Sequence, residues 1–347
     1  MRMAPCRSTE KVPMKHRVLL ILLALAIFLN LSSAAFAKDL VVYSARKEHL
    51  IQPIFDAYTQ KTGLQIDFIT GKEAVLVQRI LAEGERTPAD VLITVDAGNL
   101  WYAAQAGILQ PVHSKVLEAN IPSHLRDPQN QWFGLSVRAR TIVYHSGRVS
   151  PGELSTYEAL ADPGWKGRLI LRTSKKVYNQ SLVAMMIQDI GAENTEQVVS
   201  GWVRNLAVPP LSSDTKVLEA IDAGVGDVGI VNTYYYGRLL KKNPDLPLKL
   251  YWPNQDSTGV HVNVSGAGVT AHAKHPEAAV AFLEWVSSEE AQNLFADVNM
   301  EYPVNPGNQA NPEVQAWGVF KANPHNVASA GRYQAEAIRL MDEVGYK

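Results

Sequence analysis

The chain has 347 residues, 46% hydrophobic and 19% charged, with 33 basic side chains against 34 acidic ones. That near balance gives no electrostatic footprint for nucleic acid or for an anionic membrane surface. The single cysteine, Cys6, lies so early that disulfides, thiolate metal sites and thiol catalysis are excluded from the rest of the chain.

The first residues read as an export signal. Arg2, Arg7, Lys11, Lys15 and Arg17 form a basic region, Val18 to Leu29 is almost purely apolar, and Ala35-Phe36-Ala37 is an A-x-A cleavage site. The apolar core is too short to favour a spanning helix. Met14 is an alternative start, because Met14-Lys15-His16-Arg17 suffices as a basic region. Residues 1–37 are therefore expected to be removed, leaving a mature chain from about Lys38. The leader holds five of the 33 basic and one of the 34 acidic residues, so the remainder has 28 against 33, a net of −5. A body of about 310 residues without cysteine must rely on its core, and that length is sufficient.

In chain order, Leu40 to Tyr43 reads as a strand, followed by a loop through Glu48. A helix then places Leu50, Ile51, Ile54, Phe55 and Tyr58 on one side and closes at Gly63. Leu64 to Ile69 is a second strand. Ala74 to Ala82 is a helix with Leu76, Ile80 and Leu81 turned inward. Ala89 to Val95 is a third strand, and Asp96-Ala97-Gly98 opens a helix through Trp101. Strand alternating with helix predicts a parallel sheet covered on both faces. Beyond a polar segment from Pro122 to Gln131, the strand Thr141 to Tyr144 crosses to a second unit. There the pattern repeats, with a strand at Leu169 to Leu171 and helices at Asn179 to Ile190, Glu196 to Trp202 and Thr215 to Ala223. Strands follow at Leu246 to Trp252 and Val260 to Val264. Gly268 to Ala271 leads into helices at Pro276 to Trp285 and Glu289 to Asp297, and a last helix covers Arg332 to Val344. Two α/β units in one exported chain predict a cleft between two lobes, ligand contacts at strand-to-helix loops, and hinge closure around a ligand.

The stretch Gly226 to Leu240 carries the chemistry. Val228 to Val231 is a short β-branched run, Tyr234 to Leu240 has the content of a helix start, and Asn232 or Thr233 between them is a natural N-cap. Neighbouring side chains on a strand face opposite ways, but in a first helical turn Tyr234 and Tyr235 are about 100° apart and can share one centre. The partial positive charge of a helix start favours phenolate. A free tyrosine, with a pKa of about 10, is neutral at pH 7, so two of them become ligands only when a strongly charged cation displaces their protons. Hard oxygen donors suit a hard trivalent ion, Fe³⁺ above all. The plainer alternative is one core aromatic and two partly exposed ones.

From Lys38 to Lys347 the chain resembles the periplasmic ferric-iron-binding proteins that feed ABC importers. The resemblance rests on Val42-Tyr43-Ser44-Ala45-Arg46, Thr87-Pro88-Ala89-Asp90-Val91, Val177-Tyr178-Asn179-Gln180-Ser181, Val231-Asn232-Thr233-Tyr234-Tyr235 and Glu301-Tyr302-Pro303-Val304-Asn305-Pro306. It implies a two-lobed α/β fold, with 38–137 plus 265–312 as one lobe and 138–264 plus 313–347 as the other. It also implies ferric ligation by Tyr178, Tyr234 and Tyr235, with Tyr236 turned into packing. Lys47-Glu48 stands where some members have His-Tyr or His, so a first-lobe histidine ligand is not expected. Members without it complete the shell with a small anion such as carbonate held by arginines. Arg46 and Arg138 match that role, whereas Arg140 reads as a surface ion pair. Citrate or water could stand in for carbonate. Glu48 and Asp96 are alternative oxygen ligands from the first unit, His49 reads as exposed, and His272 with His275 reads as a polar loop.

The partners implied are Fe³⁺ and an inner-membrane ABC permease, for a monomer in the periplasm that binds no nucleic acid. A second reading keeps the scaffold and replaces iron by an organic anion or another small solute. A third, an exported enzyme, finds no G-x-S-x-G, H-E-x-x-H, P-loop or GxGxxG sequence, so no enzymatic activity is expected.

Overall fold

The computed structural model describes residues 40–347; the export-signal reading of 1–37, with Cys6 and the alternative start at Met14, lies outside the described residues. β1 (Leu40–Ser44) lies between β2 (Ile66–Thr70) and β3 (Val91–Thr94), parallel to both. α1 (Glu48–Thr62) buries Ile51, Ile54, Phe55 and Tyr58 and ends at Gly63. That residue adopts φ 77° and returns its N–H to the Thr59 carbonyl, a left-handed cap that glycine adopts without strain. α2 (Glu73–Glu83) turns Leu76, Val77 and Ile80 inward. Leu81, expected to join them, is 39% exposed. It follows Ile80 by about 100° of helix rotation, which carries it off the face that the other three define. α3 (Ala97–Gln105) begins where the Asp96 side chain accepts the Gly98 N–H at 2.8 Å; a short α4 (Lys115–Asn120) follows.

The crossing strand is much longer than the four residues expected. β4 runs Phe133–His145, and its two halves have different partners. Phe133 to Ala139 pairs antiparallel with β8 (Val262–Val269), and Arg140 to Tyr144 pairs antiparallel with β6 (Val228–Asn232). β7 (Leu248–Tyr251) and β9 (Tyr302–Pro303) also pair with β4, and β5 (Leu169–Ile170) adds in parallel to β6. The strand order is thus β2-β1-β3-β8-β4-β6-β5. The expected purely parallel sheet is corrected by β8, which runs antiparallel to β3. A chain that has crossed on β4 must return from the other end.

Two lobes follow. In one, Phe55, Trp132, Phe133, Phe282 and Phe295 share a core with α1 to α3, α9 (Pro276–Val286) and α10 (Glu289–Asn299). In the other, the sheet is covered on both faces, and alternate residues divide between them. Leu169, Ile142 and Ile230 pack with α5 (Val177–Ile190), α6 (Ala192–Asn205) and α13 (Gln334–Glu343), whereas Ile170, Val143 and Val231 pack with α7 (Asp214–Asp222) and with Tyr236 of α8 (Thr233–Lys242). Near the end, α11 (Pro312–Gln315) and α12 (Ser329–Arg332) precede α13. The expected single last helix is broken at Tyr333, where φ −98° and ψ 5° leave the helical region. No helix among the described residues is long and apolar enough to cross a membrane.

Gly229 in β6 is a strand position with no room for a side chain. A Cβ there would sit 2.6 Å from the Ile170 carbonyl oxygen and 2.8 Å from Val217. Gly229→Ala is expected to cost about 1–3 kcal/mol through overpacking. Thermal or urea unfolding should show a lowered midpoint, and an unchanged midpoint would mean that β5 can shift freely.

Candidate functional site

Three tyrosines meet at two helix starts in the second lobe. α8 follows β6 without a gap, so Tyr234 and Tyr235 stand in its first turn, after an extended Asn232 at the N-cap. Their ring centroids are 4.4 Å apart with planes at 36°. α5 starts at Val177, one residue earlier than Tyr178, so Tyr178 is inside the first turn rather than just before it. Tyr178 and Tyr234 are buried and Tyr235 half-buried, and all three line one cavity of about 250 Å³. Tyr236, as expected, points away into the core and donates to the Leu248 carbonyl at 3.3 Å.

Burial dominates the electrostatics of these phenols. It pushes Tyr178 and Tyr234 well above the ordinary tyrosine range. Tyr235 adds to the rise in both, while Arg138 works against it. The helix starts and guanidinium groups therefore leave these two phenols harder to ionise than free tyrosine, so they could serve as ligands only to a cation able to displace their protons. Cationic side chains surround the rings. Lys176, Arg172 and Arg138 lie 5.0, 5.3 and 5.5 Å from the Tyr178 ring centroid, and Arg238 lies 5.0 Å from that of Tyr234.

Arg46 and Arg138 both line the cavity, each with a carboxylate behind it. Arg46 reaches Glu301 at 2.7 Å and Ser136 at 3.1 Å and also donates to Asn299, while its Nε is buried without a partner. Burial alone would raise Glu301, but Arg46 and Arg138 outweigh it and hold the carboxyl below its usual range. Glu301 follows Met300, a non-glycine residue in the left-handed region at φ 55° that caps α10. Arg138 donates to Ser265 at 2.9 Å and to the Val95 carbonyl, and lies 3.7 Å from Asp96.

Arg140 is not the surface ion pair expected. It is 1% exposed and donates to Asp214 at 3.0 Å, Asn232 at 3.2 Å, the Ile230 carbonyl at 3.1 Å and Asn179. It stands opposite Asn232 in the sheet, which aims it under both helix starts. Asp214, fully buried, also accepts the Asn232 N–H at 3.1 Å and lies 3.5 Å from Arg172.

The first-unit carboxylates named from sequence are elsewhere. Glu48 is exposed and does not line the cavity. Asp96 is fully buried with both oxygens engaged: Oδ1 accepts from Gly98 and from Ser181 at 2.7 Å, Oδ2 from Asn263 at 3.0 Å. Glu73 and Glu301 are the carboxylates that line the cavity. His49 and His272 are exposed, and His275 turns to Asp90 at 3.3 Å. Among the described residues no group of three or more His, Cys, Asp or Glu could hold a metal ion.

Arg172 was missed by sequence reasoning. It is buried, lines the same cavity as Tyr235, and has Nε and Nη1 without a hydrogen-bond partner. Its signal was its place immediately after a buried strand, where α/β folds seat ligands. Glu301 had a weaker signal, as the first residue of a quoted motif with no chemistry assigned to it.

Comparison with known proteins agrees with this architecture. The profile of the family described as "Bacterial extracellular solute-binding protein" matches residues 40–298. "Iron uptake protein A1" of Synechocystis is 43% identical over 316 residues, covering 89% of this chain and 88% of that protein. A Trichodesmium protein, IdiA (FutA), solved in complex with iron and citrate ligands, superimposes with a TM-score of 0.86 at 44% identity, covering 89% of this chain and 100% of that one. The ferric iron-binding protein A of Mannheimia haemolytica, in an open conformation, gives 0.84 at 37% identity, covering 89% and 99%. The chain belongs to the bacterial extracellular solute-binding proteins, which are carriers rather than enzymes, and resembles the ferric iron-binding members among them.

Proposed function

We propose that this protein captures Fe³⁺ in the periplasm through the phenolates of Tyr178, Tyr234 and Tyr235, together with a small anion, and delivers it to an ABC permease for import. The observation that carries this reading is the convergence of three tyrosines from two helix starts on one cation-lined cavity. Its relatives in Synechocystis and Trichodesmium, named for iron uptake and solved with iron, support it.

Charge supports the anion. Three phenolates neutralise Fe³⁺. Around them stand seven cations (Arg46, Lys47, Arg138, Arg140, Arg172, Lys176, Arg238) and four carboxylates (Glu73, Asp96, Asp214, Glu301), a surplus of three positive charges. A multivalent anion offsets that surplus, and carbonate or a polycarboxylate such as citrate fits. Arg46 and Arg138 would grip it, with Arg172 as a third donor, because guanidinium groups hold planar oxyanions bidentately. Neither Glu48 nor Asp96 is a ligand in this scheme.

Iron enters while the lobes are apart, the phenols lose their protons, and the lobes close by bending where β4 exchanges one set of partners for the other. A monomeric carrier, exported by its cleaved leader, then docks on the permease, which reopens it. The organic-anion alternative uses the same cations but gives the phenols no task, and its complex would be colourless.

Titration with Fe³⁺, with and without bicarbonate or citrate, should develop a visible phenolate-to-iron band and bind more tightly with the anion present. An organic anion binding without iron or colour would favour the alternative. Tyr178→Phe and Tyr235→Phe should each lower iron affinity by at least about 100-fold, beyond the 10–100-fold typical of outer-shell partners, and shift or abolish the band. Unchanged affinity and colour in both would refute the site. The burial that raises Tyr178 and Tyr234 means that protons compete strongly for these oxygens. Bound iron should therefore fall as pH falls, and each binding event should release about two to three protons, measurable in weakly buffered solution. Full retention of iron well below neutral pH would contradict phenolate ligation.

A further inference from the structure

We infer that Glu73 and Lys176 form a latch across the mouth of the site that sets how fast the cargo escapes, an inference that rests on the ferric reading above. Glu73 opens α2, whose Leu76, Val77 and Ile80 are anchored in the first core. Lys176 is the N-cap residue of α5, whose Leu182, Val183, Met186 and Ile187 are anchored in the second. Their side chains meet at 3.2 Å with 18% and 30% exposure, and both line the cavity. Lys176 also lies over the Tyr178 ring. The pair thus joins the two lobes directly beside a proposed ligand.

Geometry makes the contact conditional. Each partner is fixed to its own core, so opening the cleft by a few ångströms separates the charges into water, where their attraction nearly vanishes. The contact stabilises the closed form and contributes little to the open one. A partly exposed pair of this kind is modest in energy and sensitive to ionic strength. The neighbouring contact across the cleft, Arg238 to the Asn299 carbonyl at 3.3 Å, lacks a carboxylate and should respond less to salt.

The test follows iron loss from the loaded, full-length protein to an excess of a strong chelator, read on the phenolate-to-iron band over a range of salt. In the unaltered protein, release should accelerate with salt. Glu73→Gln should release about three- to tenfold faster at low salt, with a much flatter salt dependence and the band unmoved. Glu73→Lys, which places two cations face to face, should be faster still. Glu290→Gln breaks the Lys61–Glu290 pair, whose partners both belong to helices of the first lobe, and should release at the unaltered rate. Unaltered release from both Glu73 variants would overturn the latch and leave the ferric site standing. A shifted band in Glu73→Gln would also overturn it, making Glu73 a ligand to the metal. No visible band in the unaltered protein would overturn the ferric reading and the latch together.

Discussion

The hydrogen-bonding of β4 constrains everything else in this molecule. Its first half is a strand of one lobe and its second half a strand of the other, with the change at Ala139 and Arg140. Side chains alternate along a strand, so Ser136, Arg138 and Arg140 point the same way. Each reaches a different part of the site: Ser136 supports Glu301, Arg138 lies against Tyr178, and Arg140 sits under both helix starts. The strand connecting the lobes is therefore also the floor of the cleft.

Above that floor two requirements of the proposed ferric role conflict. A site that excludes water must bury its phenols, and burial keeps them protonated. A site that binds a trivalent ion must make the phenolate form accessible. The structure meets both by placing cations around buried hydroxyls and backing three of the guanidinium groups with buried carboxylates: Arg46 with Glu301, Arg138 with Asp96, and Arg172 with Asp214. Breaking one such pair would strand a charge in a low-dielectric interior, which is far more costly than the pair is favourable. Some of the molecule's departures from ordinary structure lie here too: the left-handed Met300 and the partnerless Nε atoms of Arg46 and Arg172. Local irregularity of this kind is expected where function rather than stability has the deciding influence.

Much of this could be read from sequence, and the exceptions share a cause. Tyr234 and Tyr235 were legible because a β-branched run, a capping residue and a helix start follow one another within a few residues. The two-lobed α/β fold was legible from alternating hydrophobic periods. Tyr178 was supplied by resemblance, since nothing in its own neighbourhood separates it from a core aromatic. Arg172 and Glu301 carried only weak signals and Glu73 none, because their meaning depends on partners remote in the chain: Arg46 and Glu301 are 255 residues apart, and Glu73 and Lys176 are 103 apart. Arg140 was misread for the same reason. Its charge suggested water, whereas Asp214, 74 residues on, allows it to be buried.

Arg140 has one more consequence. A single guanidinium group holds Asn179 from one helix start and Asn232 from the other, and Asp214 braces it from behind. The two starts cannot drift independently, so the spacing among the three hydroxyl groups is fixed within one rigid body. In the proposed role this makes the second lobe a preset tridentate claw. An arriving ion finds its chelating bite already formed, and the slow, costly part of loading is left to the swing of the other lobe and the loss of the ion's own hydration water.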